Sequence, residues 1–147
     1  MRAISDEERN GMKFSTRTRC GMRVLVGLAR EWEGEPCSVR QMAAQEGISA
    51  KYLEHIMTQL RRAKLVRAVP GHGYRLTKPP GAIRINRVVW LLEGSKHVTP
   101  CRVGGRPCQR SRRCVTRRLW QHVEQCVDEC LSKATLADLC RANGKCK

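Results

Sequence analysis

GISAKYLEHIMTQLRRAKLVRAVPGHGYRLTKPP, residues 47–80, is the stretch whose reading decides the fold. Ser49 is a good helix N-cap, and Tyr52, Leu53, Ile56, Met57 and Leu60 recur at three- and four-residue spacing, as one buried helical face requires. Lys51, Glu54, His55, Arg61 and Arg62 fall away from that stripe. Two short strands follow, Leu65–Val69 and Tyr74–Thr77, joined by a Pro-Gly-His-Gly turn in which glycine takes a positive φ without steric cost. Upstream, Ser38 caps a short helix through Val39, Met42 and Ala43 that Gly47 ends. Two helices joined by a tight glycine turn make a helix-turn-helix, and a hairpin directly after the second helix makes a wing.

Working outward, Ser15 or Thr16 caps a first helix whose buried face is Cys20, Val24, Leu25, Leu28 and Trp32. Asn86–Glu93 reads as a short apolar helix closed by Gly94. A long helix starts near Val115 with an apolar stripe of Val115, Leu119, Val123, Cys126, Val127, Cys130 and Leu131. That stripe is too long for the small remaining core, so pairing with the same helix of a second subunit is expected. Thr135 and Asp138 resemble a capping box for a last helix, TLADLC. The expected organisation is a flexible leader at 1–11, with Met12 as a second candidate start, and a winged helix-turn-helix DNA-binding domain at 12–94. A cysteine loop at 95–114, a dimerisation helix with a short final helix at 115–140 and a frayed tail at 141–147 complete it. The fold class is mainly α with a small β-hairpin wing.

The chain has 147 residues, enough for one domain of ordinary size. Lys and Arg number 29 against 13 Asp and Glu, a formal charge of +16 that is costly self-repulsion unless a polyanion offsets it. Aromatic residues make up 4% and none is interleaved with the basic clusters, which argues against base stacking on single strands and for duplex DNA. No apolar run has the length to cross a bilayer and the first residues are polar, so no membrane association and a cytoplasmic location are expected. No phosphate-binding glycine loop or serine nucleophile motif is present, and no enzymatic activity is expected. Nine cysteines in a reducing compartment read as metal ligands, redox groups or packing residues, and their odd number excludes complete pairing.

CRVGGRPCQRSRRC, residues 101–114, sets Cys101, Cys108 and Cys114 among arginines. Guanidinium groups pull thiols toward thiolate, the form that binds metal and reacts with oxidants. Three readings follow: an iron–sulfur cluster, a zinc site, or a metal-free thiol sensor. Structural zinc usually shows a close Cys-x-x-Cys knuckle, which this loop lacks. Between 101 and 118 seven arginines and no acid occur, which favours a net-negative thiolate cluster. Cys126 and Cys130 read as packing residues, Cys37 shows no partner in sequence, and Cys140 and Cys146 near the end of the chain read as reactive or adventitiously metal-binding thiols with no assigned function.

The segments KFSTRTRCGMRVLVGLA, GISAKYLEHIMTQLRRAKLV, GYRLTKPP, LLEG, CVTRRLW and TLADL occur in the order found in winged helix-turn-helix regulators of the IscR and NsrR type, the Rrf-two superfamily, which the chain from Met12 to Cys140 resembles. The resemblance implies a homodimeric transcriptional regulator that binds a palindromic operator in double-stranded DNA. It also implies that Cys101, Cys108 and Cys114 hold an iron–sulfur cluster, two-iron or four-iron, which reports redox state, nitric oxide or cluster supply. The fourth ligand does not transfer: a histidine of one branch falls on Arg117 and an acidic residue of another on Arg19. Cys20, beside Arg19, is the candidate in its place, against a packing role for so commonly buried a residue type.

For DNA reading, the N-terminal half of this helix would enter the major groove and present Ala50, Lys51, Glu54 and His55, Glu54 matching a base-reading glutamate of the family, with Tyr52, Arg61 and Arg62 as further DNA-binding candidates on the same helix. The wing departs from the family by being about two residues shorter and lacking its tip arginine. Here VPGHGY puts His72 at the tip, so phosphate contact through His72 and Arg75 is expected.

Overall fold

The computed structural model describes residues 13–98, 102–103, 106–110 and 112–142. Among them, six α-helices, one 3-10 turn (Pro80–Ala82) and two hairpins follow in chain order. Helix α1 spans Thr16–Arg30, α2 Val39–Glu46, α3 Ala50–Arg62, α4 Ile85–Glu93, α5 Arg117–Lys133 and α6 Leu136–Ala142. Strands β1 (Val66–Val69) and β2 (Gly73–Leu76) form the wing, and β3 (Arg102–Val103) and β4 (Arg106–Pro107) a second, smaller antiparallel hairpin. The expected leader at 1–11, Cys101 and Cys146 lie outside the described residues.

Side chains fix the helix starts. Ser15 accepts from the Thr18 amide at 3.2 Å, Ser49 from the Tyr52 amide at 3.2 Å, and Ser38 forms a full capping box with Gln41. Each satisfies a backbone donor that the helix itself leaves unpaired. Gly47, at φ 64, ends α2 in the left-handed conformation that lets the chain turn at once into α3. Helix α3 ends in a Schellman turn, with Leu65 N donating to Leu60 O at 3.0 Å and Lys64 N to Arg61 O at 2.9 Å. Lys64 stands at φ 56 there, where a glycine is usual.

The core collects the buried faces of α1, α3 and α4 with α2, α6 and the inner wing. Leu25, Leu53, Ile56, Met57, Leu60, Val88, Leu92 and Leu136 are all 0% exposed. Complete burial of such a side chain stabilises by about 1.5–3 kcal/mol, so the four from α3 anchor it firmly. Wing register pairs Val66 with Leu76 and Val69 with Gly73. A third backbone segment joins it: Cys37 N donates to Tyr74 O at 3.0 Å and Tyr74 N to Cys37 O at 2.9 Å. Gly73, at φ 118, lies so close to the Cys37–Ser38 backbone that any Cβ would collide with it. The wing is thereby tied to the start of α2.

Several boundaries differ from expectation. Trp32 lies in the turn after α1, its amide donating to Ala29 O at 3.3 Å, and is only half-buried. Both wing strands are four residues long, β1 starting and β2 ending one residue inside the expected span, because Leu65 is taken up by the Schellman turn. Helix α5 begins at Arg117, leaving Val115 in the preceding turn at 95% exposure. Helix α6 continues to Ala142, two residues into the expected tail, because Leu136 and Cys140 are both 0% exposed against the core. Its capping box forms as expected, Thr135 N donating to Asp138 Oδ2 at 2.8 Å and Asp138 N to Thr135 Oγ1 at 3.3 Å.

Helix α5 buries no residue. It touches the body of the protein along one side, where Asp128 Oδ1 accepts from Trp90 Nε1 at 2.6 Å and from Asn86 Nδ2 at 3.0 Å. Those two donors hold the Asp128 carboxyl below its ordinary range. Val127 and Leu131 pack against the core on that side. Leu119, at 55% exposure, faces away.

Candidate nucleic-acid interface and cysteine sites

With Leu53, Ile56, Met57 and Leu60 locked inside, the opposite face of α3 is set by helical geometry. Lys51, Glu54, His55, Arg61 and Arg62 are exposed on it, as the sequence reading placed them. Tyr52 is half-buried and packs on the core, so its ring belongs to the rim of the interface. Thr58 Oγ1 donates to Glu54 O at 2.9 Å and leaves the Glu54 carboxylate unengaged by it. Arranged this way, Glu54 can accept from a cytosine amino group while Lys51 and His55 offer donors to guanine or phosphate. Arg40, on α2, is exposed too, and sequence reading had not singled it out. The signal was its place in the helix that crosses the backbone in helix-turn-helix docking.

On the wing, His72 is exposed at the tip, its amide donating to Val69 O at 3.0 Å. Arg75 is half-buried, and its Nη2 donates to Gly34 O at 2.5 Å, which ties β2 to the turn after α1. The guanidinium expected on phosphate is thus engaged inside its own chain, and Arg67, opposite it in the register, is the exposed cation of the pair.

The cysteines divide by environment. Cys108 is exposed and Cys114 half-buried. Cys114 Sγ lies 3.3 Å from Thr116 Oγ1, and hydrogen bonding from the Thr116 side chain and backbone, with Arg117 nearby, lowers its thiol from the ordinary value. Arg110, Arg112 and Arg113 stand exposed between the two. Chain reversal through β3 and β4 immediately precedes Cys108. Among the described residues no three metal-ligating groups converge on one point. Cys20 is 2% exposed inside the core of its own chain, with Arg23 Nη2 donating to its sulfur at 3.5 Å, a setting that suits packing. Burial raises the Cys37 thiol, and the residue serves the wing through its backbone. Cys140 is fully buried, whereas Cys126 and Cys130, expected to pack, are exposed on α5 in the single chain.

A carboxylate on α5 meets the chain as it leaves α4. Glu124 Oε1 accepts from Val98 N at 3.2 Å, and Oε2 lies 3.3 Å from His97 Nδ1. Helix α4 in turn packs on α1 and α3. A contiguous path therefore joins the segment leading to the cysteine loop, through α4, to the recognition face.

Residues 14–142 match the Rrf2 family, described as "Iron-dependent Transcriptional regulator". Protein rrf2 of Nitratidesulfovibrio vulgaris is 34% identical over 137 residues, covering 92% of this chain and 91% of its own length. The transcriptional regulator IscR of Vibrio campbellii is 31% identical over 134 residues, 90% of this chain and 79% of its own. Among solved structures, CymR, the global cysteine regulator of B. subtilis, superposes with a TM-score of 0.72 at 30% identity over 89% of this chain and 98% of that one. IscR of T. potens gives 0.73 at 29% identity over 90% and 89%. No helix among the described residues is long and apolar enough to cross a membrane. The exposed recognition face, the wing pinned beside it and this likeness along nearly the whole chain agree: the protein belongs to the Rrf2 family of winged-helix, DNA-binding transcriptional regulators, which are not enzymes.

Proposed function

We propose that the protein is a cytoplasmic homodimer that reads a palindromic operator with α3 and the wing, and whose affinity follows the state of an iron–sulfur cluster held by Cys101, Cys108 and Cys114. The observation that carries the reading is the pairing of a recognition face anchored by four fully buried residues with a cysteine loop joined to it through Glu124 and α4. The described loop residues fit such a group. Cys108 and Cys114 are accessible, the Cys114 thiol is lowered, and the neighbouring arginines offset the negative charge that thiolate ligation brings. When bound, the cluster supplies a centre sensitive to oxidants, nitric oxide or iron supply.

The remaining work falls to the chain itself. Glu124 holds the exit of α4, and Asp128 locks α5 against Trp90 and Asn86, so displacement at the loop bears on the helix that carries α3. Half-sites lie about one helical turn or a multiple apart, and a small change in the spacing of two recognition helices decides whether both engage.

Anaerobic purification with an absorption spectrum and iron, sulfide and zinc analysis tests the reading, paired with DNA binding at stated salt for the native protein and a C101A/C108A/C114A variant. Thiolate-to-iron bands that vanish in the variant, with an accompanying change in affinity, support it. Equal affinity with and without the cluster would refute the switch, and a colourless zinc protein would replace the cluster by zinc.

A further inference from the structure

Two glycines of α1 meet opposite surroundings. A Cβ at Gly21 would stand 2.5 Å from Leu92 Cδ1, so close packing against α4 accounts for that glycine. Gly27 has nothing within 4 Å of the place a Cβ would take. Glycine inside a helix costs stability relative to alanine, and no neighbour demands this one. What Gly27 leaves open is a cavity of about 370 Å³ between α1 and α2.

Buried apolar residues and charged ones share its lining. Val24 and Met42, each 3% exposed, form the apolar part with Gly27. Arg23, Arg30, Glu31 and Glu46 also line it, so its charges balance in a chain of formal charge +16. Arg23 and Glu46 are already paired with each other. Arg30 and Glu31, neighbours where α1 ends, make no ion pair among the described residues. A balanced lining gives a simple anion no preference over the basic surface elsewhere. An unpaired guanidinium and an unpaired carboxylate beside an apolar wall instead suit a small zwitterion, whose two charges each gain a charge-assisted hydrogen bond.

We propose that this cavity binds a free apolar α-amino acid, with Arg30 taking its carboxylate, Glu31 its ammonium group, and Val24, Gly27 and Met42 its side chain. Cys37, whose backbone holds the wing through Tyr74, lines the same cavity, and Met42 belongs to α2 of the helix-turn-helix. An occupant therefore touches supports of both DNA-reading elements. Its effect on DNA affinity rests on the reading of DNA by α3 and the wing, whereas the binding itself does not. Linkage makes that coupling reciprocal, so operator DNA changes the affinity for the amino acid by the same factor.

Isothermal titration calorimetry on the full-length C101A/C108A/C114A protein tests the site apart from any cluster, with L-valine, L-leucine, L-isoleucine and L-methionine at millimolar concentration as probes. At least one should bind, and its analogues lacking the amine or the carboxylate, isocaproate and isoamylamine in the case of leucine, should bind about tenfold or more weaker. Arg30→Gln and Glu31→Gln should each weaken binding by a similar factor. Gly27→Leu should fill the cavity and abolish binding while thermal melting shows the fold intact, since nothing obstructs a Cβ there. Lys78→Gln, an equal loss of charge elsewhere, should bind as the parent. Saturating amino acid should shift affinity for a duplex enriched from a random pool by about fivefold or more. Absence of binding by all four probes, equal binding of an analogue lacking either charge, or undiminished binding by Gly27→Leu would overturn the site. Unchanged DNA affinity at saturation would overturn the coupling.

Discussion

Ile56 and Leu119 are both aliphatic residues on amphipathic helices, yet Ile56 is 0% exposed and Leu119 55%. Helix α3 spends its apolar face wholly within its own chain, and α5 leaves half of its own uncovered while polar contacts from Asp128 and Glu124 hold it in place. The contrast separates two kinds of element. The winged body is complete in one copy, whereas α5 has the composition of a helix that meets another surface.

The largest expected difference between the two regions is in stability. Ile56→Ala should cost about 2–5 kcal/mol in urea unfolding, the range for a buried aliphatic truncation. Leu119→Ala should change monomer unfolding by less than about 0.5 kcal/mol and instead move sedimentation at micromolar concentration from dimer toward monomer. Equal unfolding costs at the two positions would break the comparison.

Next in size is base reading. Glu54→Ala should leave the fold intact and remove discrimination worth about 1–3 kcal/mol at one base pair in each half-site, read by competition between matched and mismatched duplexes. Retained discrimination would remove Glu54 from the reading face.

Asp128→Ala probes the attachment of α5. Loss of its bonds to Trp90 and Asn86 should cost about 1 kcal/mol at pH 7. The native carboxyl titrates below its ordinary value, so its contribution is fully present above about pH 4 and is lost as pH falls through the lower native value. The gap between native and variant should accordingly shrink in urea unfolding at pH 3. A gap that widens there would contradict the assignment.

The smallest effect is at Lys64, held at φ 56. Lys64→Gly should raise stability by about 0.5–1 kcal/mol, because a side chain in the left-handed region costs about 1–2 kcal/mol and glycine returns part of that as chain entropy. Destabilisation would show that the lysine side chain does more than tolerate the turn.

Sequence legibility follows the range of the interaction that builds each feature. Ser38, Ser49 and the stripe from Leu53 to Leu60 act within one helical turn or one helix, so α2, α3 and the hairpin after them were readable from residues 38–77. The exposed face of α3 came with them, since burying one side of a helix defines the other. What escaped rests on partners far apart in the chain. The backbone pairing of Cys37 with Tyr74 has no side-chain signature, and the bond from Trp90 to Asp128 joins residues 38 apart. Arg75 was expected on phosphate from its place on the wing with His72, and its bond to Gly34 O, 41 residues away in the chain, had no sequence signal. Cys126 and Cys130 read as packing because their spacing is apolar and helical, and only the position of α5 at the edge of the body leaves them open. The loop cysteines stood out in the sequence because arginines surround them, and Cys108 is exposed and Cys114 half-buried.

The most direct test of α3 as the reading element is selection of duplexes from a random pool by the native protein, repeated with Glu54→Ala and followed by footprinting of the enriched sequence. The account predicts a two-fold symmetric site whose half-sites lie about one helical turn or a multiple apart, with preference at one symmetric pair of positions relaxed by Glu54→Ala. Enrichment of no sequence, or of a site without two-fold symmetry that the Glu54→Ala protein selects equally well, would contradict it.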